Sequence, residues 1–486
     1  MGILVIYDDT CSKSEVIEDV IGSRGFADVV VKRQNLRSKF ENTVRKIYPE
    51  AEFQMISSIY EYNALAENII NNYEESARVL HFFSNFVISE EEQVLLSFKR
   101  LLFIDENYKM CDGNSIIGIM SPSISAYTEF LKKINKDGAH STLQSAKMIE
   151  QSIPVKGAVD IGRIENFIQC ITGNFDARYF NSLQGDEYTI VKSSGNKKKI
   201  KAEYTFYHLL PEDMQFWFVE PFHYREDHEK ASYTMERLHM TDLAIKWVHG
   251  SIDEEEFEVI LDKYFYFFNH RHCCEITKEE YQKIADALYV DKVVDRIQEL
   301  KELKEFENMS KLLSLNGEKS IDGLLNLYLS LKKKIEAGVK KKYISVIGHG
   351  DPCFANTMYN KSTRTLKFID PKGALKEEEL WTNPYYDIAK LSHSICGRYD
   401  FFNNGLFDIN INNEFAIELC IEFDNRKFIE IFRRKLEENG YDYWLVRLYE
   451  ASLFLSMLPL HIDNPHKVYG FILNARNILK EIEENV

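Results

Sequence analysis

The chain has 486 residues, of which 45% are hydrophobic and 13% aromatic, and its formal net charge is −16. This length exceeds what one ordinary hydrophobic core supports, so we expect two or three domains. The negative charge disfavours a general nucleic-acid binder, and no apolar run is long enough for a membrane span. The N-terminus has no secretory pattern, and the eight cysteines have no CxxC spacing. We therefore expect a cytoplasmic protein with reduced thiols.

Residues 1–140 are predicted to form an α/β domain. Apolar runs that predict strands alternate with helical stretches such as residues 56–73, which indicates stacked layers and a largely parallel sheet. The runs are Gly2–Tyr7, Asp28–Val31, Val79–Phe83, Arg100–Ile104 and Ile116–Met120.

The acidic pair Asp8–Asp9 at the end of the first strand suggests a ligand site, because such sites collect at strand C-termini. The sequence Asp-Asp-Thr does not match the D-x-D-x-T of haloacid dehalogenases, and residues 11–14 are not the Gly-rich loop of nucleotide-sugar pyrophosphorylases. Residues 79–90 (VLHFFSNFVISE) resemble the middle strand of nucleotidyltransferase-like folds, with Asn85 where an acidic metal ligand often stands. We interpret this domain as a degenerate relative of that fold, or as an α/β domain without its own chemistry.

Residues 141–165 contain small and polar residues together with Pro154, Gly157 and Gly162, which predicts a linker.

The motif with the clearest chemistry occupies residues 346–373 (VIGHGDPCFANTMYNKSTRTLKFIDPKG). Two predicted strands flank a polar loop that contains Asp351 and, five residues later, Asn356; the second strand ends at Asp370. An Asp that orients or deprotonates a hydroxyl, followed by an Asn and an Asp that bind Mg²⁺, is a recurrent arrangement for phosphoryl transfer.

The sequences HGDPCFAN and FIDPKG resemble the aminoglycoside phosphotransferase and choline kinase superfamily, whose pattern is H-G-D-x-x-x-x-N followed by a strand ending in Asp. The resemblance implies a kinase-like bilobal α+β fold with a mostly helical C-lobe, an ATP (or GTP) and Mg²⁺ requirement, and a small-molecule alcohol as acceptor. It makes Asp351 the base or orienting residue, Asn356 and Asp370 the Mg²⁺ ligands, and His349 a brace for the loop.

Residues 166–238 are predicted to be the N-lobe of this fold. The strand Tyr188–Lys192 ends in a lysine, and the following helix, Lys197–Leu210, contains Glu203. In the superfamily such a pair positions the nucleotide phosphates. No G-x-G-x-x-G precedes Lys192, which leaves Ser182 as the expected phosphate contact. The other predicted strands are Ala177–Ser182, Phe216–Glu220 and Ala231–Glu236, and the adenine is expected at Met235, Glu236 and Leu238.

Residues 239–486 are predicted to be the helical C-lobe, with Thr241 capping its first helix. The His270–Cys274 cluster contains residue types that bind zinc, but it lacks further ligands at the right spacing. In the segment PYYDIA (384–389), Asp387 resembles the superfamily residue that ties down the catalytic loop by hydrogen bonds. Asp400, Glu378 and Glu379 are candidates to face a cationic acceptor.

The sequence therefore predicts a phosphotransferase that acts on a hydroxyl of a sugar, a polyol or an amino alcohol such as choline. Proteins in which a nucleotidyltransferase-like domain precedes a choline-kinase-like domain resemble enzymes of surface or capsular polysaccharide biosynthesis, which suggests that pathway by analogy. The alternative is a non-catalytic nucleotide-binding scaffold whose N-terminal domain carries the activity or binds a partner. A protein kinase is disfavoured because D-F-G and A-P-E are missing from the sequence. The oligomeric state is not predicted.

Overall fold

The computed structural model describes residues 2–31, 33–88, 98–134, 138–145, 149–171, 181–186, 188–315, 320–411 and 417–486. The chain forms two compact units, Met1–Phe175 and Asp176–Val486. In these described ranges, no helix combines the length and apolar character needed to cross a membrane.

The first unit is an α/β structure. Its strands are β1 (Ile3–Asp8), β2 (Val30–Val31), β3 (Gln34–Asn35), β4 (Glu52–Ile56), β5 (Arg78–Phe83), β6 (Phe86–Ile88), β7 (Tyr108–Asp112), β8 (Ser115–Ser121), β9 (Ser152–Pro154) and β10 (Ala158–Asp160). Its helices are α1 (Glu15–Ile21), α2 (Leu36–Ile47), α3 (Glu61–Asn72), α4 (Ile124–Leu131), α5 (Gly138–Ser145) and α6 (Ile164–Ile171).

The main sheet of this unit has six strands in the order β4-β1-β5-β8-β7-β9. Strand β1 lies parallel to β4 and β5, whereas β8 runs antiparallel to both of its neighbours. The sheet is therefore mixed rather than largely parallel. In β1, which lies between β4 and β5, the side chains of Leu4, Val5 and Ile6 are fully buried. Such a continuous apolar run is typical of a strand covered on both faces.

Two kinds of sequence prediction fail in this unit. Arg100–Ile104 was expected to be a strand, but Arg100–Phe103 forms a 3₁₀ helix. Conversely, β4 and β7 were not predicted. Most of their side chains are at least partly exposed, so neither strand has the apolar run on which the prediction depended.

Residues 141–165 do not form a linker. They include the end of α5 and the strands β9 and β10. Strand β9 pairs with β7, and β10 pairs with β6, so these residues belong to the first unit. Helix α6 also lies in the first unit, and the second unit begins at Asp176. The N-lobe was expected to begin at residue 166, ten residues earlier. Of the residues that suggested a linker, Pro154 ends β9, Gly157 lies between β9 and β10, and Gly162 lies between β10 and α6.

The second unit begins with a small antiparallel sheet. Its strands are β11 (Asn181–Gly185), β12 (Thr189–Ser194), β13 (Pro221–Glu226) and β14 (Ala231–Glu236), in the order β11-β12-β14-β13. Between β12 and β13 the chain forms α7 (Lys197–Leu209) and α8 (Glu212–Gln215). The Asn196 side chain accepts a hydrogen bond from the Lys199 N–H at 3.1 Å and caps α7. A sheet with one long helix inserted before its last two strands is the expected kinase-like N-lobe.

The rest of the second unit is mostly helical. Its helices are α9 (Leu243–Val248), α10 (Glu254–His270), α11 (Lys278–Asp286), α12 (Lys292–Glu302), α13 (Lys304–Leu315), α14 (Ile321–Gly338), α15 (Tyr386–Ile395), α16 (Tyr399–Asn403), α17 (Arg426–Glu438), α18 (Tyr443–Met457) and α19 (Pro465–Asn485). Its short strands are β15 (Thr241–Asp242), β16 (Cys273–Glu275), β17 (Ile344–Ile347), β18 (Thr357–Asn360), β19 (Thr365–Phe368), β20 (Trp381–Thr382), β21 (Asp408–Ile411) and β22 (Ile417–Cys420). This is the predicted helical C-lobe, and with the small sheet it confirms the expected fold class.

Two local predictions in this unit need correction. Phe216–Glu220 is not a strand; only Phe218 forms a bridge, to Phe368, and the strand starts at Pro221. The cap of α9 is Asp242 rather than Thr241, because the Asp242 carboxylate accepts a hydrogen bond from the Ile245 N–H at 2.9 Å. The predicted strand Ala177–Ser182 falls mainly on residues 177–180, which lie outside the described residues.

Candidate active site

The loop that carries Asp351 is supported by two small antiparallel sheets. It leaves β17, which lies between β16 and β20, and enters the hairpin of β18 and β19. Asn356 directly precedes β18, and Asp370 follows β19 by two residues. The Ile369 N–H donates a 3.0 Å hydrogen bond to the Asn356 carbonyl. Both predicted metal ligands therefore stand at the same open end of one hairpin.

Asp387, at the start of α15, holds the backbone of this loop. Its carboxylate accepts hydrogen bonds from the N–H groups of His349 and Gly350 at 3.0 and 2.8 Å, and it pairs with the Arg271 guanidinium at 2.9 Å. Both side chains of this ion pair are at most 1% exposed. A Cβ atom on Gly348 would lie 2.5 Å from the Thr382 side chain, so the loop packs too closely here for a larger residue.

Arg271→Met leaves the buried Asp387 carboxylate without its cation, which is expected to cost about 3–5 kcal/mol of unfolding free energy and to disorder the loop. Urea unfolding and nucleotide affinity test this. Arg447→Met is the matched control, since Arg447 is equally buried and pairs with Glu450. The control should lose stability but retain nucleotide affinity; equal loss of affinity in both variants would contradict a specific role for Arg271.

His349 connects the loop to the end of β19. The Asp351 N–H donates to His349 Nδ1 at 3.0 Å, and His349 Nε2 lies 2.9 Å from the Ile369 carbonyl oxygen. A backbone N–H can only donate and a carbonyl can only accept, so the imidazole is neutral with its proton on Nε2. Burial lowers the pKa of His349, in keeping with this tautomer. The ring stacks on Phe218, with centroids 5.7 Å apart.

Asp351 is accessible, and its neighbours orient it. Its carboxylate is 34% exposed and lies 3.1 Å from the Lys390 ammonium. The Asn356 amide nitrogen donates a 2.9 Å hydrogen bond to the Asp351 backbone carbonyl. This bond fixes the side-chain amide so that its oxygen is the atom directed away from the Asp351 backbone.

Lys192, Glu203 and Asp370 meet in one ionic cluster. The Lys192 ammonium lies 2.7 Å from both a Glu203 and an Asp370 carboxylate oxygen, and the Tyr233 hydroxyl donates to Glu203 at 3.2 Å. Burial favours neutral lysine, but the two carboxylates outweigh it and raise the pKa of Lys192. Burial likewise opposes ionisation of Asp370, but the Lys192 charge and hydrogen bond lower the pKa of that carboxyl. Lys192 and Asp370 are therefore both ionised at neutral pH.

The backbone around Asp370 is strained and docks against the helix that carries Glu203. Asp370 has φ = 55°, a left-handed conformation that is uncommon outside glycine and is enriched at functional sites. Three residues later, a Cβ on Gly373 would lie 2.9 Å from the Ala202 Cβ, and the Ala374 N–H donates to the Ala202 carbonyl at 2.9 Å. Helix α7 and the segment after Asp370 are therefore in close backbone contact.

The other residues predicted to contact the nucleotide lie on strands β11 and β14 and in the segment that follows β14. Met235 lines an open cleft together with Glu203, Tyr233 and Asp370. Glu236 is exposed at the end of β14, and Leu238 is half-buried two residues beyond it. Ser182 lies in β11, opposite Ser193, but its side chain is outside the described part of the chain, so its phosphate contact stays a prediction.

The candidate acceptor residues occupy different environments. Glu378 and Glu379 are exposed, whereas Asp400 on α16 is fully buried. Burial raises the pKa of Asp400 to about 7, from an ordinary value of 3.8 in the unfolded chain. The folded protein therefore binds the Asp400 proton more tightly than the unfolded chain does. This contribution to stability is complete below the unfolded pKa and is lost as the pH rises through the folded one.

Asp400→Asn is consequently expected to stabilise the fold only at high pH. The amide carries no charge, so at about pH 8 the variant should exceed the parent by a few kcal/mol in unfolding free energy, and at about pH 4 the two should be nearly equal. Urea unfolding at both pH values measures the difference. A gap that does not change with pH would show that burial of this charge is not the cause.

Arg271 and Lys390 are site residues that the sequence did not reveal. Arg271 stood inside the suspected metal cluster, yet it pairs with Asp387. Its neighbour His272 lies 3.0 Å from the exposed Asp213. The described ranges contain no cluster of three or more His, Cys, Asp or Glu side chains arranged to bind a metal ion. The spacing of Lys390 could have indicated its position near the loop, because it lies three residues after Asp387 and therefore on the same face of the helix.

In the first unit, the acidic pair Asp8–Asp9 at the end of β1 makes internal contacts, with Asp9 accepting a hydrogen bond from the Ala27 N–H at 3.0 Å. The Asp8 carboxylate lies 2.8 Å from His81 Nε2 and accepts from the Tyr62 hydroxyl at 2.7 Å. The Asn85 amide donates to Asp160 at 3.2 Å, and the Cys11 thiol donates to the Asn85 oxygen at 3.3 Å. These polar side chains therefore hydrogen-bond to one another within the first unit, as buried polar groups generally do.

The likeness of the chain to known proteins is structural. No protein-family model and no curated protein matches the sequence. A thermostable mutant of aminoglycoside phosphotransferase APH(4)-Ia in ternary complex with ADP and hygromycin B is 11% identical, with a TM-score of 0.35; the match covers 65% of this chain and 97% of that one. Another mutant of the same enzyme, in ternary complex with AMP-PNP and hygromycin B, is also 11% identical, with a TM-score of 0.36; the match covers 66% of this chain and 99% of that one. The apo form is 11% identical, with a TM-score of 0.32, and the match covers 62% of this chain and 94% of that one.

Proposed function

We propose that this chain is a phosphotransferase that moves the γ-phosphoryl group of ATP or GTP to a hydroxyl of a small molecule, in the presence of Mg²⁺. The observation that carries the proposal is the cluster of Lys192, Glu203 and Asp370, with 2.7 Å contacts, beside a loop that presents Asp351 and Asn356. Phosphoryl transfer needs positioned cations for the phosphates and a carboxylate for the attacking hydroxyl. This set of residues supplies both.

The residues around Asp370 fit a magnesium ion. The Asp370 side chain is 42% exposed and its carboxyl group is ionised. The Asn356 amide oxygen is directed away from the Asp351 backbone by the hydrogen bond of its nitrogen. Carboxylate and amide oxygens are hard ligands that suit Mg²⁺. When bound, the ion would neutralise phosphate charge at these two residues. The Asp387–Arg271 pair would keep the loop in place around them.

In the proposed reaction the acceptor hydroxyl oxygen forms a bond to the γ-phosphorus. The bond between that phosphorus and the β,γ-bridging oxygen breaks, and the nucleoside diphosphate leaves. Asp351 orients the hydroxyl and takes up its proton. Lys192, fixed by Glu203, contacts the phosphates. His349 holds the Asp351 backbone in position through its Nδ1. Each of these groups acts chiefly by position and charge, as phosphoryl transfer requires.

The acceptor is proposed to be a sugar, a polyol or an amino alcohol such as choline, with a place in surface-polysaccharide synthesis as the pathway hypothesis. A panel of sugars, polyols, choline, ethanolamine and aminoglycosides, each with ATP–Mg²⁺ or GTP–Mg²⁺, tests this by release of the diphosphate. We expect one class of acceptor to stimulate turnover and to gain one phosphoryl group by mass. If the nucleotide binds but no member of the panel is phosphorylated, the nucleotide-binding scaffold becomes the better explanation.

A further inference from the structure

Lys390 lies beside the proposed base but belongs to no part of the recognised motif. It projects from α15, one helical turn after Asp387, and its ammonium is 3.1 Å from the Asp351 carboxylate. The side chain is only 13% exposed. Burial alone would lower the pKa of Lys390, but the Asp351 charge outweighs it and the pKa is raised. Lys390 is therefore a fixed cation at any working pH.

The charges of the reaction make such a cation useful at this position. Asp351, the transferring phosphoryl group and the acceptor oxygen are all negative or become so, and they must approach one another closely. Lys192 and the proposed metal ligands lie on the nucleotide side, at Asp370. Lys390 is a cation in contact with Asp351 itself. Its ammonium has three N–H donors, so a bond to Asp351 leaves donors for an oxygen of the phosphoryl group or acceptor.

We propose that Lys390 is a charge-compensating residue of phosphoryl transfer, which orients Asp351 and offsets the negative charge that builds up on the acceptor side. This inference rests on the proposed function. The step remains balanced without a further reactant: the acceptor proton passes to Asp351, the γ-phosphoryl group passes to the acceptor oxygen, and Lys390 donates hydrogen bonds and keeps its proton. A preorganised cation of this kind acts mainly on the transition state.

Removing a buried lysine that has no role in turnover should lower stability without lowering kcat. Lys332 is the control for this effect. Lys332 on α14 is 7% exposed and pairs with Asp286 at 3.3 Å and Glu336 at 3.1 Å. Replacing either lysine with methionine removes a buried cation from an ion pair and is expected to lower stability. Only Lys390 contacts a residue that we place in the reaction.

The experiment compares Lys390→Met, Lys390→Arg and Lys332→Met in thermal unfolding and in kcat and KM for nucleotide and acceptor. We expect Lys390→Met to lower kcat about 100-fold or more with little change in nucleotide KM, and Lys390→Arg to recover about a tenth of the activity or better. Lys332→Met should keep the parental kcat. If Lys390→Met does not fold, Lys390→Gln takes its place.

Two outcomes would overturn the inference. One is a parental kcat in Lys390→Met or Lys390→Gln, and the other is an equal fall in kcat in the Lys390 and Lys332 variants. Failure of the proposed function has a distinct signature, because the unaltered protein would then bind nucleotide and phosphorylate no acceptor.

Discussion

Asp351→Asn is expected to abolish phosphoryl transfer while leaving nucleotide binding intact. The amide cannot take the acceptor proton, so kcat should fall about a thousandfold or more. Asp351 pairs with Lys390, whereas Lys192 pairs with Glu203 and Asp370, so the groups proposed to hold the nucleotide phosphates should keep their partners. Steady-state kinetics and calorimetric titration of nucleotide separate the two effects.

The control for this prediction is Asp213→Asn. Asp213 lies in the same unit, its side chain is 66% exposed, and it pairs with His272. This variant removes a carboxylate without touching the loop and should turn over at the parental rate. If Asp351→Asn retained the parental kcat, Asp351 would not be the residue that handles the acceptor hydroxyl.

Asp370→Asn is expected to be equally damaging, but with a different pattern. It removes the charged ligand of the proposed metal ion and one of the two anions on Lys192, so kcat should again fall about a thousandfold. Asparagine tolerates the left-handed backbone of Asp370 better than most residues do, and Lys192 keeps Glu203 at 2.7 Å. The fold should therefore survive, and the loss should reflect the missing charge.

Magnesium dependence distinguishes the two variants. Asp370→Asn should weaken nucleotide binding in Mg²⁺ and raise the Mg²⁺ concentration needed for half-maximal binding, whereas Asp351→Asn should change neither. Titrations of nucleotide at several Mg²⁺ concentrations measure this. An unchanged Mg²⁺ requirement in Asp370→Asn would contradict the assignment of this residue as a metal ligand.

Helix α7 and strand β14 were predictable from sequence because their local signals agree. Helix α7 was expected at Lys197–Leu210 and occupies Lys197–Leu209, since Asn196 caps its start and Pro211 follows its end. Strand β14 has the predicted bounds, Ala231–Glu236. With the strand of Lys192 and the helix of Glu203 in the expected order, their proximity followed from the fold.

Contacts between distant parts of the chain were not predictable. The Lys192–Asp370 pair joins residues 178 positions apart, and the Arg271–Asp387 pair joins residues 116 apart. Arginine and lysine are abundant in this sequence, and only the folded chain selects the few that meet a buried carboxylate. The α5 to β10 region was misread for a related reason, because short strands that take their partners from distant segments have no periodic pattern of their own.

The measurement that tests the central claim most directly is transfer of the labelled γ-phosphoryl group of ATP to the acceptors of the panel, for the unaltered protein, Asp351→Asn and Asp370→Asn side by side. We expect label on one class of small molecule with the unaltered protein and at most traces with either variant. Transfer at equal rates in all three proteins would contradict the account, because phosphoryl transfer would then not depend on the loop and cluster described above.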